Sequence, residues 1–459
     1  MSTVLPVLGL VVALWFLGRV LADPFKGFLI MLPFLVVTRS ISLPVVGERI
    51  TLFDTLLLLW WLGIVVRMLQ NRRSLHFSST IFAPVFAYYG FIAALLASLF
   101  NAISPSKGIV EISVFLLLAS FGLATVGIAT SKERIESIVE VLTWTFVGVV
   151  LISLWEGLLV PIGFPVLFPI RHSSRITGTF RNPNQLGGFL VVVAPFVWAL
   201  LLLSGTRPRH FLVLILGAVG GTLALVLTSS RASIATAAIQ FSMLIPAILL
   251  FGKRKHLWRS FRVVLITAAI AVIGLISLSN LSSHYWQRFI LRSWPTLKAM
   301  ATLRYENVLR AAPTSSQAAF GSEQYAVAWQ AFLHSPLIGV GIGNFGESYR
   351  IIGRLGYEVH SQYAGLLAET GILGLLCFTS FILPTLYRSR MLLRTRQIPT
   401  WIAVALLISV STNLLGGAYV RILRRREFWL ILSLIHAYWG LLVAAKWSYV
   451  RKLRPHNSG

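Results

Sequence analysis

Residues 186–204 read LGGFLVVVAPFVWALLLLS and include no charged side chain. The hydrocarbon core of a bilayer is about 30 Å thick, and a helix that crosses it needs about 20 apolar residues. A backbone surrounded by lipid must also satisfy its own hydrogen bonds, which a helix does. We therefore predict that this stretch is a transmembrane helix.

Comparable apolar stretches recur along the 459 residues, of which 56% are hydrophobic and only 12% charged. This composition, with a mean hydropathy of +0.80, lies outside the range of soluble proteins. We expect an all-α membrane protein of about 12–13 transmembrane helices. The count is thirteen if every predicted span crosses the bilayer, and twelve if one of the first two only enters it. The predicted spans lie near residues 4–21, 26–43, 51–69, 81–102, 108–130, 135–160, 186–204, 210–229, 232–251, 261–280, 361–387, 401–420 and 428–446.

Five loops between these spans are rich in Lys and Arg, and they alternate consistently along the chain. Because basic loops remain in the cytoplasm, we assign to that side the loops around residues 67–73, 132–134, 207–209, 253–262 and 388–396. The chain then divides into N-terminal helices (1–280), a large, partly helical extracytoplasmic loop (281–360) and C-terminal helices (361–459). A second outer segment covers residues 161–185. The basic segment Arg421–Arg426 also falls outside, against the rule, which leaves the last two spans open to revision.

The formal net charge is +26, from 40 Lys and Arg against 14 Asp and Glu, which would suggest a nucleic-acid partner for a soluble protein. Here most basic residues lie in the short loops between spans, so we expect membrane lipids and no nucleic acid as partners. The outer loop 281–360 is also basic, with seven Lys and Arg against four Glu. Topology gives no cause for positive charge on that side, and an anionic ligand would explain it.

The stretch HSQYAGLLAETGILG, residues 360–374, leads from the outer loop into an apolar helix. At 100° per residue, His360, Tyr363 and Gly371 share one face of that helix. Glu369 lies roughly 13 Å along it and must face protein or water, so it either serves function or links two helices by a hydrogen bond. His360 is either a structural interfacial histidine or a proton acceptor, since imidazole titrates near neutral pH.

Four segments in order, between about residues 170 and 375, resemble the signature of the O-antigen ligase family, which also includes Wzy-type polysaccharide polymerases. They are RITGTFRNPNQLG (175–187), SSRA (229–232), the pattern W-x6-P-x2-G-x-G-x-G-x-F (329–345) and the stretch 360–374. Two positions depart from the family pattern. Ser361 stands where many members have Asn, and Tyr325 stands where Arg is common, so that Arg304 or Arg310 would have to substitute.

The resemblance implies a GT-C-like enzyme of the bacterial cytoplasmic (inner) membrane, with its active site facing the periplasm. Such an enzyme transfers a glycan from undecaprenyl diphosphate to a hydroxyl of an acceptor glycan or lipid A core. His360 would be the general base, and the anomeric carbon would be inverted. The residues expected to bind the diphosphate or substrate are Arg175, Arg181, Arg231, Asn182, Asn184, Tyr363, Glu369, Arg304 and Arg310.

No metal ion or other cofactor is expected. The chain has two aspartates, Asp23 and Asp54, and it contains neither a D-x-D nor an H-E-x-x-H motif. The sequence GIGNFG, residues 341–346, matches G-x-G-x-x-G but lacks the βαβ context and the acidic partner of a dinucleotide site. We assign its glycines to tight turns and close approach of the backbone.

Two other functions stay open at this stage. A polysaccharide polymerase uses the same donor chemistry, and the sequence does not separate it from a ligase. A secondary transporter of ions, bicarbonate or other small anions also has about a dozen helices. The polar motifs cluster at the outer ends of spans and no inverted repeat is evident, which favours chemistry at a surface.

Overall fold

The structure of the protein is a computed structural model. It describes residues 4–38, 50–70, 75, 82–167, 175–204, 208–252, 265, 269, 319–347, 360–395 and 398–453. Predicted features that fall elsewhere, including the span 261–280, lie outside the described residues. The predicted domain boundaries at 280 and 360 therefore stay predictions.

The described residues form thirteen α-helices. These are α1 (Val4–Ala22), α2 (Pro24–Met31), α3 (Leu52–Leu69), α4 (Phe82–Ser98), α5 (Pro105–Ile128), α6 (Lys132–Leu154), α7 (Pro183–Leu203), α8 (Pro208–Leu227), α9 (Arg231–Phe251), α10 (Ala319–His334), α11 (Gln362–Arg394), α12 (Thr400–Gly416) and α13 (Arg426–Leu453). Short 3-10 or π turns extend α2 to Val36, α4 to Asn101 and α6 to Ile162.

Eight helices in this part of the chain are long and apolar enough to cross a membrane, and four shorter apolar helices accompany them. The eight comprise Leu52–Leu69, Pro105–Ile128, Lys132–Ile162, Pro183–Leu203, His210–Leu227, Ala232–Phe251, Gln362–Arg394 and Arg426–Lys446. The prediction of an all-α, multi-pass membrane protein is thus confirmed. The total of 12–13 spans stays a prediction, because the span 261–280 is not described.

The second predicted span, 26–43, is longer than the helix found there. Helix α2 ends at Met31, and a 3-10 turn with Pro33 at its start continues only to Val36. Proline has no N–H to donate to the helical ladder, which ends the α-helix at this point. By length, this element fits the alternative that one of the first two segments does not cross the bilayer as a full span.

Helix α11 is broken at Gly371, which has φ +61° and ψ −162°. In an unbroken helix, the N–H groups of Ile372 and Leu373 would donate to the carbonyls of Ala368 and Glu369. Here those two N–H groups donate instead to Pro336 and Leu337, at 2.8 and 3.2 Å. The two carbonyls accept from Val340 and Gly341, each at 3.0 Å. A turn from another part of the chain therefore replaces two internal hydrogen bonds of the helix with four external ones.

We call this inserted segment, residues 335–347, the glycine turn. Its close approach to α11 needs a residue without Cβ, because a Cβ at Gly339 would lie 2.3 Å from the carbonyl carbon of Glu369. Gly339, Gly341 and Gly343 all have positive φ angles, of 71°, 96° and 74°. The assignment of this glycine-rich motif to tight turns and close approach is therefore correct.

The other side of the glycine turn is fixed to the connection between α4 and α5. Asn101 donates to Ser335 at 2.9 Å, and the Asn344 side chain accepts from the backbone N–H of Ser104 at 2.6 Å. Lys107 in the first turn of α5 forms an ion pair with Glu347. The glycine turn thus joins α11 to α4 and α5 at one end of the helix bundle.

We predict that Gly371→Ala destabilises the protein, because its φ and ψ lie in a region that only glycine adopts without strain, at a cost of about 1–3 kcal/mol. A Cβ at this position would also lie 2.4 Å from the carbonyl of Leu337. The thermal unfolding temperature of the purified protein in detergent should fall by several degrees. Gly148→Ala is the matched control, since a Cβ there meets no atom within 4 Å. Equal melting temperatures for the two variants would contradict the inserted-turn geometry.

Candidate functional site

Among the described residues, the ion pairs that join different helices or loops gather at one end of the bundle, which we call the outer face. It is opposite the basic loops that follow α3, α5, α7 and α11. The helices α3, α5, α7, α9, α11 and α13 all begin there. The segments on this face are the glycine turn, the Arg175 loop (175–182), the start of α11 and the arginine loop (417–426) between α12 and α13. The last of these determines how the others are held.

Three arginines of the arginine loop form ion pairs with carboxylates of three different helices. Arg421 donates to Glu369 of α11 at 2.9 Å, and Arg424 donates to Glu111 of α5 at 2.6 Å. Arg426 binds Asp54 of α3 through two hydrogen bonds, of 3.1 and 2.6 Å. The three carboxylate residues are at most 5% exposed. Each pair therefore replaces lost hydration with a charged partner.

The fourth arginine of this loop, Arg425, lies directly over Gly188 of α7. A Cβ at Gly188 would be 2.5 Å from the guanidinium carbon, so glycine is needed for this contact. Burial lowers the pKa of the Arg425 guanidinium, and the nearby Glu427 carboxylate opposes that shift. Three of the four arginines of the loop thus form ion pairs with buried carboxylates, which compensate most of the positive charge of this segment within the protein.

This finding resolves the anomaly of a basic segment on the outer side. The positive-inside rule concerns loop charge that would have to cross the membrane uncompensated, whereas three of these four arginines are paired with buried acids. Helices α12 and α13 lie at the positions of the last two predicted spans, on either side of the loop. Helix α13 is long and apolar enough to cross a membrane, and α12 is one of the shorter apolar helices. Sequence reasoning missed these pairs, although four arginines within six residues and isolated acids in apolar helices were the available signal.

The Arg175 loop joins the start of α7 to the end of α8. The Arg175 guanidinium donates to the carbonyl of Thr228 at 2.7 Å and to the side-chain carbonyl of Asn184 at 3.0 Å. Both acceptors are neutral oxygens, and Asn184 itself is exposed. The Glu156 carboxylate accepts from the backbone N–H groups of Thr177 and Gly178 and so fixes the middle of the loop.

The remaining polar residues of this loop have local roles. Asn182 caps α7, accepting from the backbone N–H of Gln185 at 2.9 Å. The backbone N–H of Arg181 donates to Thr38 at 2.8 Å. Arg231 is the first residue of α9, and its side chain lies outside the described part. Arg304 and Arg310 also lie outside the described residues.

His360 lies at the start of α11 and is exposed. The helix begins at Gln362, with the Ser361 hydroxyl as its cap, so His360 precedes the helix and does not share a helical face with Tyr363. That prediction from 100° periodicity is wrong, because Ser361 takes up an extended conformation to accept from Ala364. It also fails at Gly371, where the helical periodicity is interrupted.

The first turn of α11 is tied to the arginine loop by Gln362. Its backbone N–H donates to the carbonyl of Gly417 at 2.8 Å, and its side-chain oxygen accepts from the N–H groups of Ile422 and Leu423. The Tyr363 hydroxyl donates to the carbonyl of Leu414 in α12. The structure thus gives both side chains partners within the protein, and it fixes the backbone that carries His360.

Tyr325 of α10 contacts the arginine loop near its first residues. Its hydroxyl donates to the carbonyl of Ala418 at 3.0 Å. Burial raises the pKa of this phenol, and a contact with Ser361 partly offsets the shift. Tyr325 therefore remains a protonated donor and holds α10 against the start of the arginine loop. The residue that departs from the family pattern has a packing role here.

Glu369 lies at the junction of three segments. Its carboxylate is part of α11 just before the break, pairs with Arg421 and accepts a long hydrogen bond of 3.4 Å from the N–H of Phe345 in the glycine turn. Of the two alternatives for Glu369, this geometry corresponds to a link between elements. The link joins the broken helix, the glycine turn and the arginine loop.

We predict that Arg426→Ala costs about 3–5 kcal/mol of stability, because it leaves the buried Asp54 carboxylate without its partner. The double variant Arg426→Ala/Asp54→Asn should recover part of the loss, since it removes both charges. Thermal unfolding in detergent measures both effects. Glu136→Gln is the control, because it breaks only an exposed Lys132–Glu136 pair at 3.8 Å and should change stability by less than about 0.5 kcal/mol. A double variant no more stable than the single one would contradict this account.

The comparisons with known proteins bear on this site directly. Residues 216–379 match the family model described as O-antigen ligase. The match includes the SSRA segment, the glycine turn and the start of α11, whereas the Arg175 loop precedes it. No curated protein matches the chain. The family resemblance predicted from the sequence is confirmed by the family match.

Proposed function

We propose that this chain, with residues 216–379 in the O-antigen ligase family, is an inverting, metal-independent glycosyltransferase of the bacterial cytoplasmic membrane. It moves a glycan from an undecaprenyl diphosphate carrier to an acceptor hydroxyl at the outer face, which is the periplasmic side. The acceptor is a glycan or lipid A core. This activity accounts for the placement of an exposed histidine and several arginines on the same face of the helix bundle.

One observation carries the proposal: an exposed imidazole lies at the outer face, next to a helix start that is hydrogen-bonded to the arginine loop. His360 directly precedes the capped start of α11, which Gln362 ties to the arginine loop at two points. Gly416, at the end of α12, packs closely on Thr236 of α9, and Gly187 of α7 packs on Ser233. These contacts connect the His360 region with the start of α9 and with the Arg175 loop.

The arginines are assigned by what they can do for the leaving group. A departing lipid diphosphate gains negative charge, and guanidinium groups stabilise that charge through bidentate hydrogen bonds. Three arginines of the arginine loop pair with carboxylates of α3, α5 and α11. We assign the role at the leaving group to Arg175, Arg181 and Arg231, which lie in the segments that resemble the family signature. The starts of α7, α9 and α11 also lie on this face, and the positive ends of their dipoles favour an anion.

The transfer itself is a single displacement. His360 accepts the proton of the acceptor hydroxyl while the hydroxyl oxygen attacks the anomeric carbon. The new glycosidic bond forms as the bond from that carbon to the diphosphate oxygen breaks, and the diphosphate leaves with the electron pair. Attack opposite the leaving group inverts the anomeric configuration. Glu369 and Tyr363 act as positioning residues, through Arg421 and Leu414.

A polysaccharide polymerase is the second candidate, because the family includes both activities. The donor chemistry is the same, and only the acceptor differs. The glycan profile of a deletion strain separates them: loss of all capped lipopolysaccharide indicates a ligase, and caps of a single unit indicate a polymerase.

The hydrogen bonds at the break in α11 argue against a transporter. Broken helices of transporters leave backbone carbonyls available to ions. In α11, the carbonyls of Ala368 and Glu369 accept from the glycine turn instead. Labelled anion uptake into proteoliposomes without glycan transfer would overturn this ranking.

We predict that His360→Ala lowers the transfer rate by about 10²–10⁴ while the protein still accumulates in membranes, because a general base contributes about that factor. The assay uses purified protein, lipid-linked glycan and acceptor. His334→Ala is the control, since His334 is exposed at the end of α10 and has no proposed part in the reaction. Wild-type transfer by the His360 variant would remove His360 as the base.

We further predict that Arg175→Lys and Arg231→Lys each lower the transfer rate about 10- to 100-fold, because lysine keeps the charge but loses the guanidinium fork. The same substitution at Arg134, which bonds the carbonyl of Ile128 at the opposite end of the bundle, is the control and should leave the rate unchanged. If Arg231→Lys transfers glycan at the wild-type rate, Arg231 is not a bidentate ligand of the diphosphate.

A further inference from the structure

A cleft with a volume of about 790 Å³ opens between α9, α11 and α12, far from the outer face. Its lining comes from the second half of α9, the last third of α11 and the middle of α12. The proposed transfer chemistry uses no residue of this cleft. It lies near the basic end of the bundle, toward the loop that joins α11 to α12.

Each helix presents one continuous face to the cleft. From α9 these are Met243, Pro246, Ala247, Leu250 and Phe251, and from α12 they are Val404, Leu407 and Ile408. The spacing of three or four residues is that of one side of a helix. Helix α12 forms the floor and packs against both walls. Several wall side chains are largely exposed, with Leu250 at 76% and Leu383 at 58%.

The charge of the cleft is confined to its α11 wall. Arg390 and Arg394 both line it, one helical turn apart, and both are exposed. The neighbouring Arg388 is different, because its guanidinium contacts the ring of His436 in α13 at 2.7 Å. The positive-inside rule and the helix dipole account for arginines at this end of α11. They do not account for a large apolar cleft beside two of them.

We propose that this cleft binds one anionic phospholipid of the adjoining leaflet. The headgroup phosphate lies between the Arg390 and Arg394 guanidiniums, which bind phosphate oxygens by paired hydrogen bonds. An acyl chain lies along the apolar faces of α9 and α12. The volume falls within the range of about 300–1,000 Å³ typical of small-molecule sites. Basic pockets between transmembrane helices on this side are also the kind that bind anionic headgroups.

Native mass spectrometry of the full-length protein tests this proposal. The protein is extracted from nanodiscs that contain equal amounts of phosphatidylglycerol and phosphatidylcholine. Wild type should retain phosphatidylglycerol in preference to phosphatidylcholine. Arg390→Ala/Arg394→Ala should lower that retention about 10- to 30-fold, since each basic side chain strengthens binding to an anionic headgroup about fivefold. Arg19→Ala/Lys446→Ala is the matched control, because it removes two exposed charges near the same end but outside the cleft.

A second variant tests the apolar part without changing charge. Ala247→Trp fills the cleft and should also abolish retention of phosphatidylglycerol. This variant keeps the proposal testable if the double arginine variant does not fold. Phosphatidylglycerol should raise the melting temperature of the wild type in detergent, and millimolar inorganic phosphate should not. Equal retention of both lipids, retention by Ala247→Trp, or the same thermal shift with inorganic phosphate would each overturn the proposal.

Discussion

The break in α11 at Gly371 is the constraint on which the rest of the outer face depends. A helix inside a membrane cannot leave backbone groups unpaired, because lipid offers no hydrogen-bond partner. The glycine turn supplies the four missing bonds, and it can do so only because Gly339 and Gly371 have no side chains in the contact. The glycine turn also contacts the α4–α5 connection and α5. The segment that completes the hydrogen bonds of α11 therefore joins three helices.

The arginine loop is the second element of this arrangement. Its arginines bind carboxylates of α3, α5 and α11. These bonds hold together helices that are distant in sequence. A buried ion pair adds little net stability by itself, but removing one partner is costly. Such pairs therefore favour one relative placement of the helices over others. The start of α11, and with it His360, is held in place from this loop through Gln362.

Charge on the outer face has two different explanations. Three arginines of the arginine loop pair with buried carboxylates of three helices, so their charge serves assembly. In the Arg175 loop, the Arg175 guanidinium donates to the carbonyl of Thr228 and to the side-chain oxygen of Asn184, and these bonds orient it. The amino-acid composition does not distinguish the arginines of these two loops. The tertiary contacts show which arginines bind buried carboxylates and so serve assembly.

The sequence alone determined most of the helices and the resemblance to the O-antigen ligase family, which the match over residues 216–379 supports. Runs of apolar residues near 20 in length, and basic loops that alternate, are properties of local sequence and of the bilayer thickness, so spans such as 186–204 could be predicted. The motif at residues 360–374 could also be recognised from the sequence, because its residues are contiguous. The sequence did not determine that α11 breaks at Gly371, that His360 precedes the helix, or that Glu369 binds Arg421. The position of His360 before the helix depends on the local cap between Ser361 and Ala364, which a 100° periodicity does not reveal. The break at Gly371 and the Glu369–Arg421 pair depend on contacts between residues 28 or more apart, and such contacts exist only once the tertiary structure brings the partners together.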